Sequence, residues 1–251
     1  MKKEPLQVNA GMLLIPDFSD NESFFALIRD LIFYLPGYQP QSWATDSGDG
    51  SKLSLMDLRS LVQEGASTLY WKRKTSPRAE GAISRRVQTP AGQEHAAHRL
   101  RLSVKNNEHV DWLVSYLCYC AASDGVDFAC FGAEDGSRES NSGSMQMESR
   151  LCTKLLERTM PDLCWGTIFG RVYVELFGLD KLLSAPAHLV EQLTPDAVYI
   201  QLTESIFDLR DRADKVEIRK NMVKRHLDDN IFFDSHHPAN HVYRTPIFKF
   251  Q

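Results

Sequence analysis

The chain has 251 residues, of which 43% are hydrophobic and 25% are charged, and its formal net charge at pH 7 is −4. This composition is typical of a globular protein that buries a sizeable core. It argues against a general nucleic-acid binder, because contacts with phosphates require a basic surface.

The first residues contain two lysines and a short apolar run, which is too short for the hydrophobic region of a signal peptide. No stretch reaches the roughly 20 apolar residues that a membrane-spanning helix needs. We therefore expect a cytoplasmic protein that does not cross a membrane.

The first half of the chain predicts helices between short strands. Residues 20–35 carry apolar residues at helical spacing behind a polar N-cap, and Ser54 is placed to cap a second, shorter helix. Alternating patterns predict strands at residues 68–71 and 97–104. A long helix is predicted from Asn107, which is placed as its cap.

The second half continues the mixture, and one segment in it is unusual for its aromatic residues separated by glycines. For residues 165–175 the glycines and β-branched residues favour one or two strands over a helix. The remaining elements are predicted from apolar spacing: strands at 126–131 and 197–202, helices at 151–156 and 179–183, and a last long helix at about 205–228.

Three segments are predicted to be flexible loops, because they are rich in turn-forming and charged residues and lack periodicity. They lie near residues 44–52, 73–93 and 132–144. The second loop carries a concentration of Lys and Arg from Arg73 to Arg86, which stands out in an acidic protein.

The elements show no regular strand-helix-strand repetition and no break between domains. They predict an α+β fold, a single domain over residues 1–251 with a mostly antiparallel sheet packed with several helices. The five cysteines are odd in number and irregular in spacing, so we expect reduced, mostly buried thiols and no disulfide framework. They are Cys118, Cys120, Cys130, Cys152 and Cys164.

Histidines suggest two metal sites, and neither has the spacing of a known one. His95 and His98 are three residues apart, whereas the HExxH motif requires four, and on a strand the two would point to opposite faces. The C-terminal cluster of His236, His237 and His241 matches no zinc pattern. No metal or cofactor is therefore predicted.

Catalytic patterns are also missing. The chain contains no nucleophile elbow, no phosphate-binding loop and no dinucleotide fingerprint. Glu204 and Asp208 are four residues apart in the predicted last helix, next to several basic residues, and this pattern is typical of a solvated helix face with ion pairs. No catalytic residue is predicted.

The aromatic segment carries a resemblance to a known family. It contains Trp-Gly at 165–166, Phe-Gly at 169–170, Tyr-Val-Glu-Leu-Phe-Gly at 173–178 and Leu-Leu-Ser-Ala-Pro at 182–186. With the residues around it, from about Leu163 to Phe233, this pattern resembles the immunity protein 52 family of bacterial polymorphic-toxin and type VI secretion systems.

The resemblance implies a cytoplasmic antitoxin that binds and blocks a cognate toxin, often a nuclease, and that has no catalytic residues of its own. Since the substrate grooves of nucleases are basic, acidic loops are the natural contacts. The candidates for toxin binding are therefore the acidic residues of two predicted loops: Asp46, Asp49, Glu134, Asp135 and Glu139. The segment from Arg73 to Arg86 could instead contact an acidic face.

Two other functions remain open on the sequence alone. One is a metal-dependent hydrolase of unfamiliar type that uses the C-terminal histidines, and the other is a structural or regulatory scaffold. The absence of a catalytic motif and the family resemblance both favour the binding protein.

Overall fold

The computed structural model describes residues 4–45, 55–90, 92–133, 151–160, 162–233 and 241–250. Its strands are β1 Leu6–Leu14, β2 Ser42–Thr45, β3 Thr68–Arg73, β4 Ala79–Ser84, β5 Val87–Thr89, β6 Gly92–Glu94, β7 Ala96–Val104, β8 Val126–Ala133, β9 Gly166–Phe169, β10 Leu189–Thr194 and β11 Ala197–Gln201. Its α-helices are α1 Asn21–Tyr34, α2 Leu55–Gln63, α3 Asn107–Ser123, α4 Thr153–Leu156, α5 Arg171–Phe177, α6 Leu179–Leu183, α7 Asp208–Asp211 and α8 Ala213–Leu227. Two 3-10 helices lie at Pro36–Tyr38 and Asp229–Ile231.

Nine of these strands form one antiparallel sheet, in the order β10-β11-β9-β8-β1-β7-β4-β3-β2, and β5 and β6 form a separate hairpin. The N-terminal strand β1 lies in the middle, where Ala10 pairs with Leu100 on one side and with Phe131 on the other. Every residue of β1 from Val8 to Leu14 is buried, as expected for a strand covered on both faces. The predicted single-domain α+β fold with a mostly antiparallel sheet is confirmed.

One face of the sheet is covered by α1 and α3. Both helices begin at polar caps, since the Asp20 side chain accepts a hydrogen bond from the Ser23 amide (2.8 Å) and that of Asn106 accepts one from the His109 amide (3.1 Å). The cap of α3 is therefore one residue earlier than predicted. His98 of β7 joins the sheet to this layer through a hydrogen bond with Tyr116 of α3 (2.7 Å).

The opposite face is covered over β8, β9 and β11 by an aromatic cluster. Phe128 of β8 and Phe169 of β9 both pack against Tyr173 of α5, with ring centroids 5.4 and 5.6 Å apart. Phe232 and Phe248, from the C-terminal part of the chain, extend this cluster. The sheet is therefore covered on both sides over this half.

The strand prediction for residues 165–175 is confirmed for β9 and wrong for the residues that form α5. Tyr173 and Phe177 are four residues apart and stack on one side of the helix, with centroids 6.2 Å apart. The aromatic spacing was therefore a helical stripe. Gly170 and Gly178 lie at the two ends of α5 and bound the helix without interrupting it.

The last predicted helix is divided. Arg212, with φ −149° and ψ 51°, separates α7 from α8. Asp208 does form the i,i+4 ion pair with Arg212 (2.8 Å), but Asp208 is only 2% exposed and Glu204 lies outside both helices. The prediction of a shared solvated face for Glu204 and Asp208 was wrong.

The structure also differs from the loop prediction over residues 79–84, which form β4 inside the sheet. Gly81 in this strand has no side chain, and a Cβ there would lie 2.7 Å from the indole nitrogen of Trp71. The glycine thus makes room for a buried tryptophan on the neighbouring strand. All five cysteines are free thiols, and three of them, Cys120, Cys130 and Cys164, are buried.

Candidate functional site

The five acidic residues predicted to bind a toxin fall outside the described residues: Asp46, Asp49, Glu134, Asp135 and Glu139. Their role stays a prediction. Of the C-terminal histidines, His236 and His237 also lie outside the described ranges. His241 is described, half-buried, and has its ring edge-on to Tyr243 at 4.5 Å.

Over the described ranges, no three His, Cys, Asp or Glu side chains are close enough together to hold a metal ion. Nor does any helix in these ranges have the length and apolar character needed to cross a bilayer. His95 and His98, the other pair considered, make separate contacts. His95 bonds to Asp127 and Thr153, whereas His98 bonds to Tyr116.

The contacts of His95 form a chain of three polar side chains in which both ring nitrogens are engaged. Nδ1 lies 2.9 Å from the Thr153 hydroxyl, and Nε2 lies 2.9 Å from a carboxylate oxygen of Asp127. A hydroxyl, an imidazole and a carboxylate in this order form the arrangement that activates a nucleophile.

The three side chains of this network are buried. Thr153 is 0%, Asp127 3% and His95 4% exposed, and the imidazole is flanked by the rings of Phe248 and Phe250 at 4.9 and 4.7 Å. A cavity of about 400 Å³ reaches His95, and its described lining includes neither Thr153 nor Asp127. The network pairs buried polar groups with one another and ties β8 and the residue before β7 to α4.

The accessible site is the part of the second sheet face that lies on β7, β4, β3 and β2, beside the buried strand β1. Directly opposed residues on neighbouring strands point to the same face, so the pairing registers define two rows of side chains across all five strands. The first row is Asn9, Arg101, Glu80, Lys72 and Ser42, and the second is Gly11, Arg99, Ala82, Tyr70 and Ala44. We call these two rows the open face.

The first row is polar and carries charges of alternating sign. Glu80 lies between Lys72 (2.8 Å) and Arg101 (3.6 Å), and the exposed side-chain fractions of the three are 41%, 55% and 43%. The Lys72 hydrogen bond is the main cause that holds the pKa of Glu80 below its ordinary value. Glu80 therefore remains ionised and orients both cations.

The second row contains a depression, because only one small residue separates its two large side chains. Ala82 lies between Arg99 and Tyr70, and Tyr70 is 47% exposed. The resulting cavity has a volume of about 460 Å³ and reaches both rows. This volume is in the range of pockets that bind small molecules or the side chains of a partner.

Arg99 has a distinctive environment in this cavity. Its Nε is buried and has no hydrogen-bond partner. A buried guanidinium N–H without a hydrogen-bond partner lowers the stability of the folded protein, and a carboxylate or phosphate could accept this hydrogen bond.

Further cations lie beside the open face, next to its first row, where β3 connects to β4. A second cavity, of about 520 Å³, is lined by Arg73, Lys74 and Arg78 as well as by Lys72 and Arg101. Arg73 is held in place by hydrogen bonds to the carbonyls of Pro77 and Gln39. The two cavities together are lined by six cationic side chains and one carboxylate, in a chain whose net charge is −4.

The sequence contains one local signal for this surface. In β7, Leu100 and Leu102 alternate with Arg99 and Arg101, and such alternation indicates that one side of the strand faces away from the core. The acidic residues predicted to bind a toxin lie in predicted loops instead. The rows of the open face depend on the order of the strands, which no local pattern specifies.

The comparisons with known proteins concern the fold. No family model matches the chain, and no curated protein matches it in sequence. The chain is similar in structure to the Pseudomonas aeruginosa T6SS protein PA0821, with a TM-score of 0.57 and 12% identity over 96% of this chain and 79% of that chain. This similarity shows a shared fold.

A second solved structure aligns more weakly. It is that of the toxic C-terminal tip of CdiA from Pseudomonas aeruginosa in complex with immune protein, with a TM-score of 0.29 and 12% identity over 53% of this chain and 88% of that chain. A TM-score this low carries no argument about fold or function.

Proposed function

We propose that this chain is a cytoplasmic immunity protein that binds and neutralises a cognate bacterial toxin, and that the toxin is a nuclease effector of a type VI or polymorphic-toxin system. The observation that carries the proposal is the open face, a charged surface whose accessible residues lie on four neighbouring strands, β7, β4, β3 and β2. Such a surface suits the binding of a macromolecule.

Two further observations support a binding protein over an enzyme. The one arrangement in the described residues that has the order of a catalytic triad, Thr153-His95-Asp127, is buried. The solved structure that shares the fold over most of both chains is named as a T6SS protein, which is the setting implied by the resemblance to the immunity protein 52 family. The nuclease partner rests on that resemblance alone.

The alternative of a hydrolase that uses the C-terminal histidines gains no support from the described residues. His241 packs edge-on against Tyr243, and no group with metal-ligand character includes it within the described ranges.

The experiment that tests the proposal is titration calorimetry of this protein against the product of the gene next to its own, with a nuclease assay of that product in parallel. We expect one-to-one binding that abolishes the nuclease activity. Co-expression should also rescue growth of cells that produce the toxin. Absence of binding at micromolar concentrations, together with no rescue, would refute the proposal for that pair.

A further inference from the structure

We propose that the open face binds an acidic segment of a protein partner, with a carboxylate of that segment on Arg99 and others on Lys72 and Arg101. The inference extends the proposed function, since it takes the toxin as the partner and names the chemistry of the contact. It also differs from the expectation that acidic loops of this chain meet a basic groove.

The charge distribution is the first argument. Four cations line the first cavity, Lys72, Lys74, Arg99 and Arg101, and the second cavity adds Arg73 and Arg78. In the described residues Glu80 is the only carboxylate that lines either cavity, and Lys72 and Arg101 already flank it. An acidic partner would be steered toward this face, and its association would weaken as salt is added.

The unsatisfied donor is the second argument. The Nε of Arg99 is buried without a partner, next to a cavity of about 460 Å³ with a floor of small residues. An incoming Asp or Glu side chain fits this space, and a change of the Arg99 rotamer then brings the buried Nε to its carboxylate. Tyr70, 47% exposed in the same row, offers an aromatic surface to the rest of the segment.

A protein partner is favoured over a nucleic acid because of Glu80. This residue lies in the middle of the polar row, where a continuous phosphate backbone would meet it, whereas the carboxylates of a folded partner can be spaced to avoid it.

The test compares two triple variants with the same loss of charge. The face variant is Lys72→Gln, Arg99→Gln and Arg101→Gln. The control variant neutralises three exposed cations away from the open face: Arg158→Gln, Arg225→Gln and Lys249→Gln. Circular dichroism and thermal unfolding of both establish that they fold, and the double variant Lys72→Gln with Arg101→Gln serves if the loss of Arg99 prevents folding.

Binding to the candidate toxin is measured by calorimetry at about 50 and 200 mM salt. We expect the face variant to bind about 100-fold more weakly than the wild type, because close charge pairs contribute strongly at interfaces. The control variant should stay within about threefold, as is usual for exposed charges. If the wild type and the face variant bind equally well, the open face is not the contact, although the proposed function stands.

A second probe separates the two proposals if the wild type does not bind the toxin at all. A fluorescein-labelled peptide of alternating Glu and Ala, and a single-stranded DNA of equal length, are titrated at low salt. Peptide binding that the face variant loses and the control variant keeps would support the open face without the immunity function. Absence of peptide binding, or a preference for the DNA, would overturn it.

Discussion

Gly170, between β9 and α5, is the position where a single methyl group is expected to be most costly. A Cβ at Gly170 would lie 1.7 Å from the carbonyl oxygen of Val126 and 2.9 Å from the Cα of Asp127. Both are backbone atoms of β8, and the Gly170 amide donates to the Asp127 carbonyl at 3.1 Å. The overlap can be relieved only by moving β8 away from β9.

Overpacking of a well-packed site costs about 1–3 kcal/mol and sometimes more. Because the obstacle is backbone, we expect Gly170→Ala to lower the free energy of unfolding by at least about 3 kcal/mol, a large fraction of the roughly 5–15 kcal/mol typical of a domain. The free energy is measured by urea unfolding followed by tryptophan fluorescence, with the m-value as a check on two-state behaviour.

Two other glycines provide controls with different physical causes. Gly178 has φ +89° and ψ +135° and no heavy atom within 4 Å of a built Cβ, so Gly178→Ala tests backbone conformation alone, at about 1–3 kcal/mol. A Cβ at Gly132 would make only ordinary contacts, the nearest at 3.6 Å, and Gly132→Ala should change stability by less than about 1 kcal/mol. If Gly170→Ala costs no more than Gly178→Ala, the steric reasoning is refuted.

Three further predictions follow from buried groups. Burial, with a smaller contribution from Arg99, lowers the pKa of His98 to about 3. As the pH falls below about 6.5, the unfolded chain therefore binds a proton at His98 that the folded chain does not. The free energy of unfolding then decreases by up to about 1.4 kcal/mol per pH unit. His98→Gln should flatten the difference in unfolding free energy between pH 6.5 and 4.5. Equal slopes in the wild type and His98→Gln would contradict the assignment. His95→Ala leaves the buried side chains of Asp127 and Thr153 without their shared hydrogen-bond partner and should cost about 1–3 kcal/mol for each unpaired group in urea unfolding. A total cost below about 1 kcal/mol would show that the network contributes little. In the folded protein, N-ethylmaleimide at pH 7.5 should label Cys152 before the other four cysteines, because Cys152 is only partly buried and burial raises the pKa of the Cys118 thiol to about 12. Mass spectrometry of the labelled peptides measures the order of labelling, and early labelling of Cys118 would contradict this prediction.

Local patterns predicted the elements that depend on local physics. The sequence predicts the apolar spacing and cap of α1, the alternation in β7 and the length of α3, since each depends on residues a few positions apart. The helix α5 was not, because the propensities of its flanking glycines and β-branched residues competed with a short aromatic stripe. Packing of Tyr173 and Phe177 against the aromatic cluster favours the helix over a strand.

The candidate site was less predictable for a different reason. Its rows join Asn9 to Arg101 and Lys72 to Ser42, residues that are far apart in the chain and meet only through strand order. No local pattern specifies which strands pair. Of the cations between Arg73 and Arg86, Arg73, Lys74 and Arg78 lie beside the open face. Arg85 instead bonds to the carbonyls of Phe18 and Ala66, and only the structure separates the two groups.

The central place of β1 has a consequence for how the protein is made. Its partners, β7 and β8, are complete only at residues 104 and 133, so the first strand leaves the ribosome long before anything can pair with it. At about 5–20 residues per second, roughly 6–25 s separate the synthesis of β1 from that of β8. During this time the apolar residues of β1 are not yet paired with β7 or β8. Late pairing of this kind makes folding slow and exposes the nascent chain to aggregation and chaperone binding.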